Sequence, residues 1–168
     1  MTSALIAIFC PDRTGLVAAI SGRLFEIGAN LGDTSFSMLG GGAEFTSVCE
    51  LPDDMPLGEV EADLAALPEL AQATVSVRPF RLAHGPSGGI THRFVISGGD
   101  RPGLVARLSE VFGEFSANIV NMDARRVPEE GLYVTRFAVS IPARTDACVA
   151  TVANTAGELN LSCHVEQA

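Results

Sequence analysis

Two short segments of this chain carry residue types from which a ligand site can be built, and they are nearly the same segment. Asp12-Arg13-Thr14-Gly15-Leu16 and Asp100-Arg101-Pro102-Gly103-Leu104 each place a glycine just ahead of an apolar stretch with helical spacing. The free N–H groups and partial positive charge of a helix start favour a carboxylate or phosphate. Glycine there lets a ligand approach the backbone closely, and it equally permits a tight turn or close packing. Arg13 and Arg101 are suited to holding a carboxylate, although solvation or local pairing with the adjacent Asp accounts for them as well. Asn30 and Asn118 follow the end of the same helical stretches, where an Asn often serves as a turn residue.

Other chemistry is thinly represented. Cys10, Cys49, Cys148 and Cys163 lie far apart without a C-x-x-C pair, and His84, His92 and His164 have no ligand spacing. The cysteines read as buried thiols, and neither metal nor cofactor is expected. No activated nucleophile or carboxylate pair stands out, so catalysis is not expected. The formal net charge is −9, from 20 acidic against 11 basic residues, and Arg125-Arg126 is the densest basic spot. Binding to nucleic acid needs a basic surface that displaces counterions from phosphates, which argues against it here. The N-terminal apolar run Ala4 to Phe9 has a strand's length, and no stretch approaches membrane-spanning length. A cytoplasmic setting is the expectation.

The elements that must position these residues come from a duplication. Residues 12–30 and 100–118 share ten identities in nineteen positions at a constant offset of 88. In the first copy Ala4 to Phe9 reads as a central strand, and Leu16, Val17, Ile20, Leu24 and Ile27 recur at helical spacing. Asp12 stands where an N-cap is expected, and Gly28 supplies a stop. Thr34, Phe36 and Met38 alternate with serines as in a half-buried strand, and Gly40 to Gly42 read as a hairpin turn before Ala43 to Leu51. Leu57, Val60, Leu64 and Leu67 give a second helix, and Val75 and Val77 a fourth strand.

The second copy repeats the order. Phe94 and Ile96 mark its first strand, and Leu104, Val105, Leu108, Phe112 and Phe115 line a helix, with Pro102 suited to its first turn. Ile119 to Val127 pairs with Leu132 to Ile141 across Pro128 to Gly131. A helix around Ala147 to Ala156 precedes a last strand carrying Leu159, Leu161, Cys163 and Val165. Residues 1–80 and 91–168 thus form two modules joined by a linker at 81–90, where Gly, Pro and Ser occur without a period. The order β-α-β-β-α-β predicts an α+β fold of two ferredoxin-like modules, each an antiparallel four-stranded sheet with its helices on one face. Small modules with a hydrophobic content of 47% also suggest pairing, within the chain or in a homodimer.

An Asp-Arg-x-Gly-Leu turn followed by a helix ending in Ala-Asn, inside βαββαβ, resembles the ACT domain. The resemblance covers 2–80 and 91–166. The tandem layout is similar to the glycine cleavage system transcriptional repressor family, and the first copy to the N-terminal module of formyltetrahydrofolate deformylases. The resemblance implies a regulatory module that binds a small amino acid, glycine or serine, between two modules packed side by side. By position it makes Asp12, Arg13, Gly15, Leu16 and Asn30 ligand-binding candidates, with Asp100, Arg101, Gly103, Leu104 and Asn118 in the second copy. It implies action through a protein partner such as a transcriptional activator. Serine-binding members often carry a His two residues before the loop Asp; here Cys10 and Gly98 stand there. Two other readings stay open: a small ferredoxin-like enzyme such as an acyl phosphatase, using Arg13 with Asn30, and a structural dimerisation module with degenerate pockets.

Overall fold

The computed structural model describes residues 1–81 and 88–168, so most of the linker expected at 81–90 lies outside the described residues. The chain divides into two compact units, Met1–Ala83 and His84–Ala168. In the first unit β1 (Thr2–Pro11) leads through α1 (Leu16–Glu26) to the hairpin β2 (Asn30–Leu39) and β3 (Gly42–Leu51). Next come α2 (Leu57–Ala65), a 3₁₀ turn at Pro68–Leu70 and β4 (Thr74–Pro79). The second unit runs β5 (His92–Gly98), α3 (Leu104–Glu114), β6 (Asn118–Val127), β7 (Leu132–Ser140), α4 (Thr145–Glu158) and β8 (Ser162–Gln167). The sheets are ordered β2-β3-β1-β4 and β6-β7-β5-β8, and every neighbouring pair is antiparallel.

Alternation along β1 explains the layering. Ala4, Ile6, Ile8 and Cys10 are buried in one cluster with Leu16, Ile20 and Leu24 of α1 and Val60 and Leu64 of α2. Side chains of a strand leave its two faces in turn, so both helices must lie on that one face. In the second unit Phe94 and Ile96 do the same with Leu104, Leu108 and Phe112 of α3 and Cys148 and Val152 of α4. These are two ferredoxin-like βαββαβ modules.

The helix starts differ from the capping expected of Asp12 and Pro102. Gly15 (φ 91°, ψ 0°) and Gly103 (φ 80°, ψ 1°) are the N-caps, and neither helix has a side-chain cap. Those angles belong to the third residue of a type II turn, so x-Gly in Asp-Arg-x-Gly is the turn's centre. Pro102 therefore occupies the second turn position, outside the helix, where its fixed φ is equally suitable. At the helix ends the copies diverge. Gly28 (φ 79°) closes α1, with the Ala29 N–H donating to Leu24 O at 2.9 Å, whereas Ser116 (φ 54°) holds the matching place after α3, where the Ala117 N–H donates to Phe112 O at 2.9 Å. A left-handed L-residue costs about 1–2 kcal/mol. Ser116→Gly is expected to recover about 1 kcal/mol of this, because glycine's flexible unfolded state offsets part of the gain. A rise in urea midpoint at constant slope checks it; an unchanged midpoint counts against the strain.

The hairpins set the two cores apart. Gly40 and Gly41 (φ 57° and 83°) make a two-residue turn in the first module, while the second uses the four residues Pro128 to Gly131. Ile6 pairs with Ser47, but Phe94, at offset 88 from Ile6, pairs with Phe137, so the offset beyond the hairpin is 90. Ile6, Leu24 and Ser47 thereby correspond to Phe94, Phe112 and Phe137, whose rings meet edge-to-face and tilted, with centroids 5.2 and 5.3 Å apart along the series. Phe45 in turn gives way to Thr135, whose buried hydroxyl has no hydrogen-bond partner among the described residues.

Three further differences from the sequence reading concern exposure and boundaries. Phe36 and Met38 pair with Phe45 and Ala43, hence face the helix side, yet they are 42% and 47% exposed because β2 is an edge strand that the helices do not cover. Leu67 lies past the end of α2, which Pro68 closes by opening the 3₁₀ turn. Leu159 and Leu161 precede β8 rather than lying in it.

The helix pairs are also joined differently. Arg23 of α1 donates from Nε to Asp63 Oδ2 of α2 at 2.6 Å, and its Nη2 reaches the other carboxylate oxygen. Positions 88 further on are Val111, which is buried, and Thr151. The Arg23 guanidinium holds the Asp63 carboxyl below the usual carboxylate range. A folded pKa below the unfolded one gives stability that is present above the unfolded value and lost as pH falls through the folded value. The first module is thus expected to weaken below about pH 4, and Asp63→Asn to flatten that dependence. Urea titrations across acidic pH check this, and an equally steep acid loss in the variant would count against the pair.

Candidate functional site

The Asp12 turn is held by its backbone and by its arginine. The Asp12 N–H donates to Gly41 O of the hairpin at 3.1 Å. Arg13 donates from Nη1 to Pro68 O and from Nη2 to Ala71 O, both at 3.2 Å, fastening the turn to the 3₁₀ segment. Arg13 is therefore a positioning residue in the first module. Residues Asp12 to Ala18 together with Phe36 of β2 line an open cleft of about 230 Å³. A Cβ built on Gly15 meets nothing within 4 Å. The glycine is thus required by its positive φ, and the space beside it is open to a ligand. The Asp12 carboxylate accepts no hydrogen bond from the described residues and faces solvent. Two residues earlier, burial pushes the Cys10 thiol pKa up, so this neighbour is a neutral thiol.

The second module presents the same turn in another electrostatic state. Arg126 of β6 pairs with Asp100, Nη2 to Oδ2 at 2.6 Å, across a cleft of about 340 Å³ that runs along Val127, Pro128 and Gly131. The residue 88 positions earlier is Met38, so the first module has no such cation. Both partners are well exposed, which places the pair in the class whose strength is at most about 1 kcal/mol. Nothing in the sequence pattern joins Arg126 to Asp100; only the crossover through α3, which lays β6 parallel to β5 with β7 between them, brings both residues to the same end of the sheet.

Asn30 and Asn118 open β2 and β6, as expected, but far from the turns. Asn30 pairs with Glu50, which on its other side pairs with Ser3 at the beginning of β1, whereas Asp12 follows Pro11 at its end. At about 3.3 Å per strand residue, the stretch from Ser3 to Asp12 separates them by roughly 30 Å. Asn118 likewise pairs with Ser140 at the far end of its sheet from Gly98 and the Asp100 turn. Within one module the candidate residues fall into two groups: the turn, Asp12 to Leu16 or Asp100 to Leu104, and the isolated Asn. The Arg13–Asn30 cradle needed for acyl phosphate chemistry is not formed. Phe36 and Arg126, which line or close the turns, were read from sequence as a strand residue and a basic spot and were not among the ligand-binding candidates.

Among the described residues no group of three or more His, Cys, Asp or Glu side chains is arranged to hold a metal. All four cysteines are free, and burial raises the pKa of each. No helix among the described residues is long and apolar enough to cross a membrane.

No protein-family model matches the chain, and no curated protein matches it. Among solved structures it is similar to an unknown protein from Galdieria sulphuraria, with 21% identity, 99% of this chain and 98% of that one covered, and a TM-score of 0.72. It is similar over 99% of its length to 97% of a protein provisionally named a glycine cleavage system transcriptional repressor, with 12% identity and a TM-score of 0.72. An ACT domain protein from Streptococcus pneumoniae matches 46% of this chain with 89% of its own, at 20% identity and a TM-score of 0.42. At these identities the two full-length likenesses speak to architecture, and they agree with the strand order: the chain has the fold of two ferredoxin-like βαββαβ modules in tandem.

Proposed function

We propose that this protein is an amino-acid-sensing regulator that acts through contacts with a protein partner, such as a transcriptional activator, rather than by catalysis. The observation that carries the reading is the turn repeated in both modules. Each opens a helix on a left-handed glycine, leaves the helix start without a side-chain cap, and places an Asp beside it. Uncapped N–H groups suit the carboxylate of an amino acid, and the Asp suits its ammonium group. Open space at Gly15 and a cleft of about 230 Å³ suit a small effector, glycine or serine. The net charge of −9 supports a protein partner over nucleic acid. The printed name of one full-length structural neighbour, a glycine cleavage system repressor, belongs with this reading.

Asp12 is the stronger candidate of the two carboxylates, since Asp100 already has Arg126 as a counter-ion. Asn30 is too far from Asp12 to share a ligand within one module, so a second copy of the chain in a homodimer supplies the complementary side chains. Calorimetric titration of the purified chain with each proteinogenic amino acid tests the reading. Saturable heat from glycine or serine is expected, and Asp12→Ala should weaken it about tenfold or more by removing a charged hydrogen-bond partner. Asp12→Ala is preferable to a change at Gly15, where any L-residue strains the turn regardless of binding. No saturable heat from any amino acid, or turnover of an acyl phosphate, would sink the proposal.

A further inference from the structure

The two modules differ most sharply in polarity where the second helix covers the start of the first strand. In the first module Ala4 is fully buried there, and Glu61 of α2 accepts the Val77 N–H of the outer strand at 2.9 Å. At offset 88 the same positions hold His92, Val149 and Val165. The acidic plug is gone, and a histidine stands in place of the alanine. A groove of about 410 Å³ results, bounded by His92, Asp146, Val149, Ala153, Val165 and Gln167. That volume is within the range of small-molecule sites.

His92 is only 8% exposed. A polar ring at such depth needs partners, and its bonds can be traced. Its Nδ1 lies 3.0 Å from Thr91 Oγ1. That hydroxyl donates its one proton to Val139 O at 3.3 Å and accepts the Ile141 N–H at 3.0 Å. With that proton on Val139 O the hydroxyl meets His92 as an acceptor, and this arrangement puts the imidazole proton on Nδ1. Nε2 is then a bare lone pair, and it has no hydrogen-bond partner among the described residues. It is also not among the fully buried unpartnered atoms, of which Thr135 Oγ1 is the only one described, so it opens onto the groove.

We infer that His92 holds its proton on Nδ1 and that this groove is a binding site for a small primary ammonium compound with a short apolar tail. The ammonium donates to His92 Nε2 and is balanced by the Asp146 carboxylate, while the tail lies along Val149, Ala153 and Val165. Asp146, Val149 and Ala153 recur at helical spacing along the flank of α4. The groove therefore begins at the first turn of α4, where the Asp146 carboxylate offsets the preference of the free N–H groups for anions, and runs on down the flank. The site is separate from the Asp-Arg-x-Gly turns and does not rest on the amino-acid reading.

The test is a two-dimensional NMR titration of the full chain with n-butylamine, n-butanol and n-butyrate. Saturable shifts at the His92 ring, Val149 and Val165 are expected with n-butylamine. Both uncharged n-butanol and anionic n-butyrate are expected to bind about tenfold more weakly or worse. His92→Phe should cost about tenfold in n-butylamine affinity, and Asp146→Asn, an exposed position with little bearing on folding, about threefold. The proposal is overturned if n-butylamine gives no saturable shift in the groove, if either comparison compound binds as tightly, or if Asp146→Asn leaves the affinity unchanged.

Discussion

Phe112→Ala is expected to lower the unfolding free energy of the second module by about 3–5 kcal/mol, the range for removing a buried aromatic side chain. Phe112 is fully buried, and its ring lies between those of Phe94 and Phe137, at 5.2 and 5.3 Å. The loss has two parts. The transfer free energy of the ring disappears, and the neighbouring phenylalanines, fixed on adjacent strands, cannot collapse fully into the void. Tilted aromatic pairs add further stabilisation beyond buried area. Phe112→Leu, which installs the residue the first module has as Leu24, should cost less but still lose both ring contacts. Urea unfolding, with amide exchange in β5 and β7 to assign the change to this sheet, measures the effect. A loss below about 1 kcal/mol, typical of tolerant positions, would mean that the three-ring cluster does not hold the module together.

Gly98→Cys should cost the second module about 1–3 kcal/mol, the usual penalty for overpacking a filled site. Cysteine is what the first module carries at the matching position, Cys10, so the substitution tests whether the copies are interchangeable there. A Cβ on Gly98 would overlap the Leu161 Cδ2 methyl and come within 3.4 Å of Asn160 O. Leu161 is itself buried and has little freedom to step aside. If this contact is the cause, Leu161→Ala combined with Gly98→Cys should cost less than the sum of the single changes. Strict additivity, or an unchanged midpoint for Gly98→Cys alone, would refute the steric account. The same crowding makes Gly98 a poor place for a histidine or any other larger side chain.

Local patterns made much of this architecture readable in the sequence. The offset of 88, the helical spacing of Leu16, Ile20 and Leu24, and the glycine-rich hairpin each depend on near neighbours, and they led to the correct order of elements. What escaped depends on residues far apart in the chain or on a conformation that residue type does not specify. Asp12 has a capping side chain, yet the type II turn gives the N-cap to Gly15. The alternation of Thr34, Phe36 and Met38 identified a strand face, but not that the helices stop short of it. The candidate turns were found as repeats, whereas their opposite electrostatic states depend on Arg126 reaching Asp100 across the sheet. His92 showed no ligand spacing; its position emerges only when the antiparallel strands set it beside α4.

The hairpins carry a consequence for how the copies were able to diverge. The two extra residues of the second loop are taken up in the loop itself: the pairs Ile6↔Ser47 and Met38↔Ala43 become Phe94↔Phe137 and Arg126↔Tyr133, so β7 keeps the register of β3 against both of its neighbours. Register decides which side chains face the core, and here it is held from both sides while the loop length varies. The cluster of Phe94, Phe112 and Phe137 is therefore the product of substitutions at the fixed positions of Ile6, Leu24 and Ser47, and the longer hairpin left the core pairing untouched.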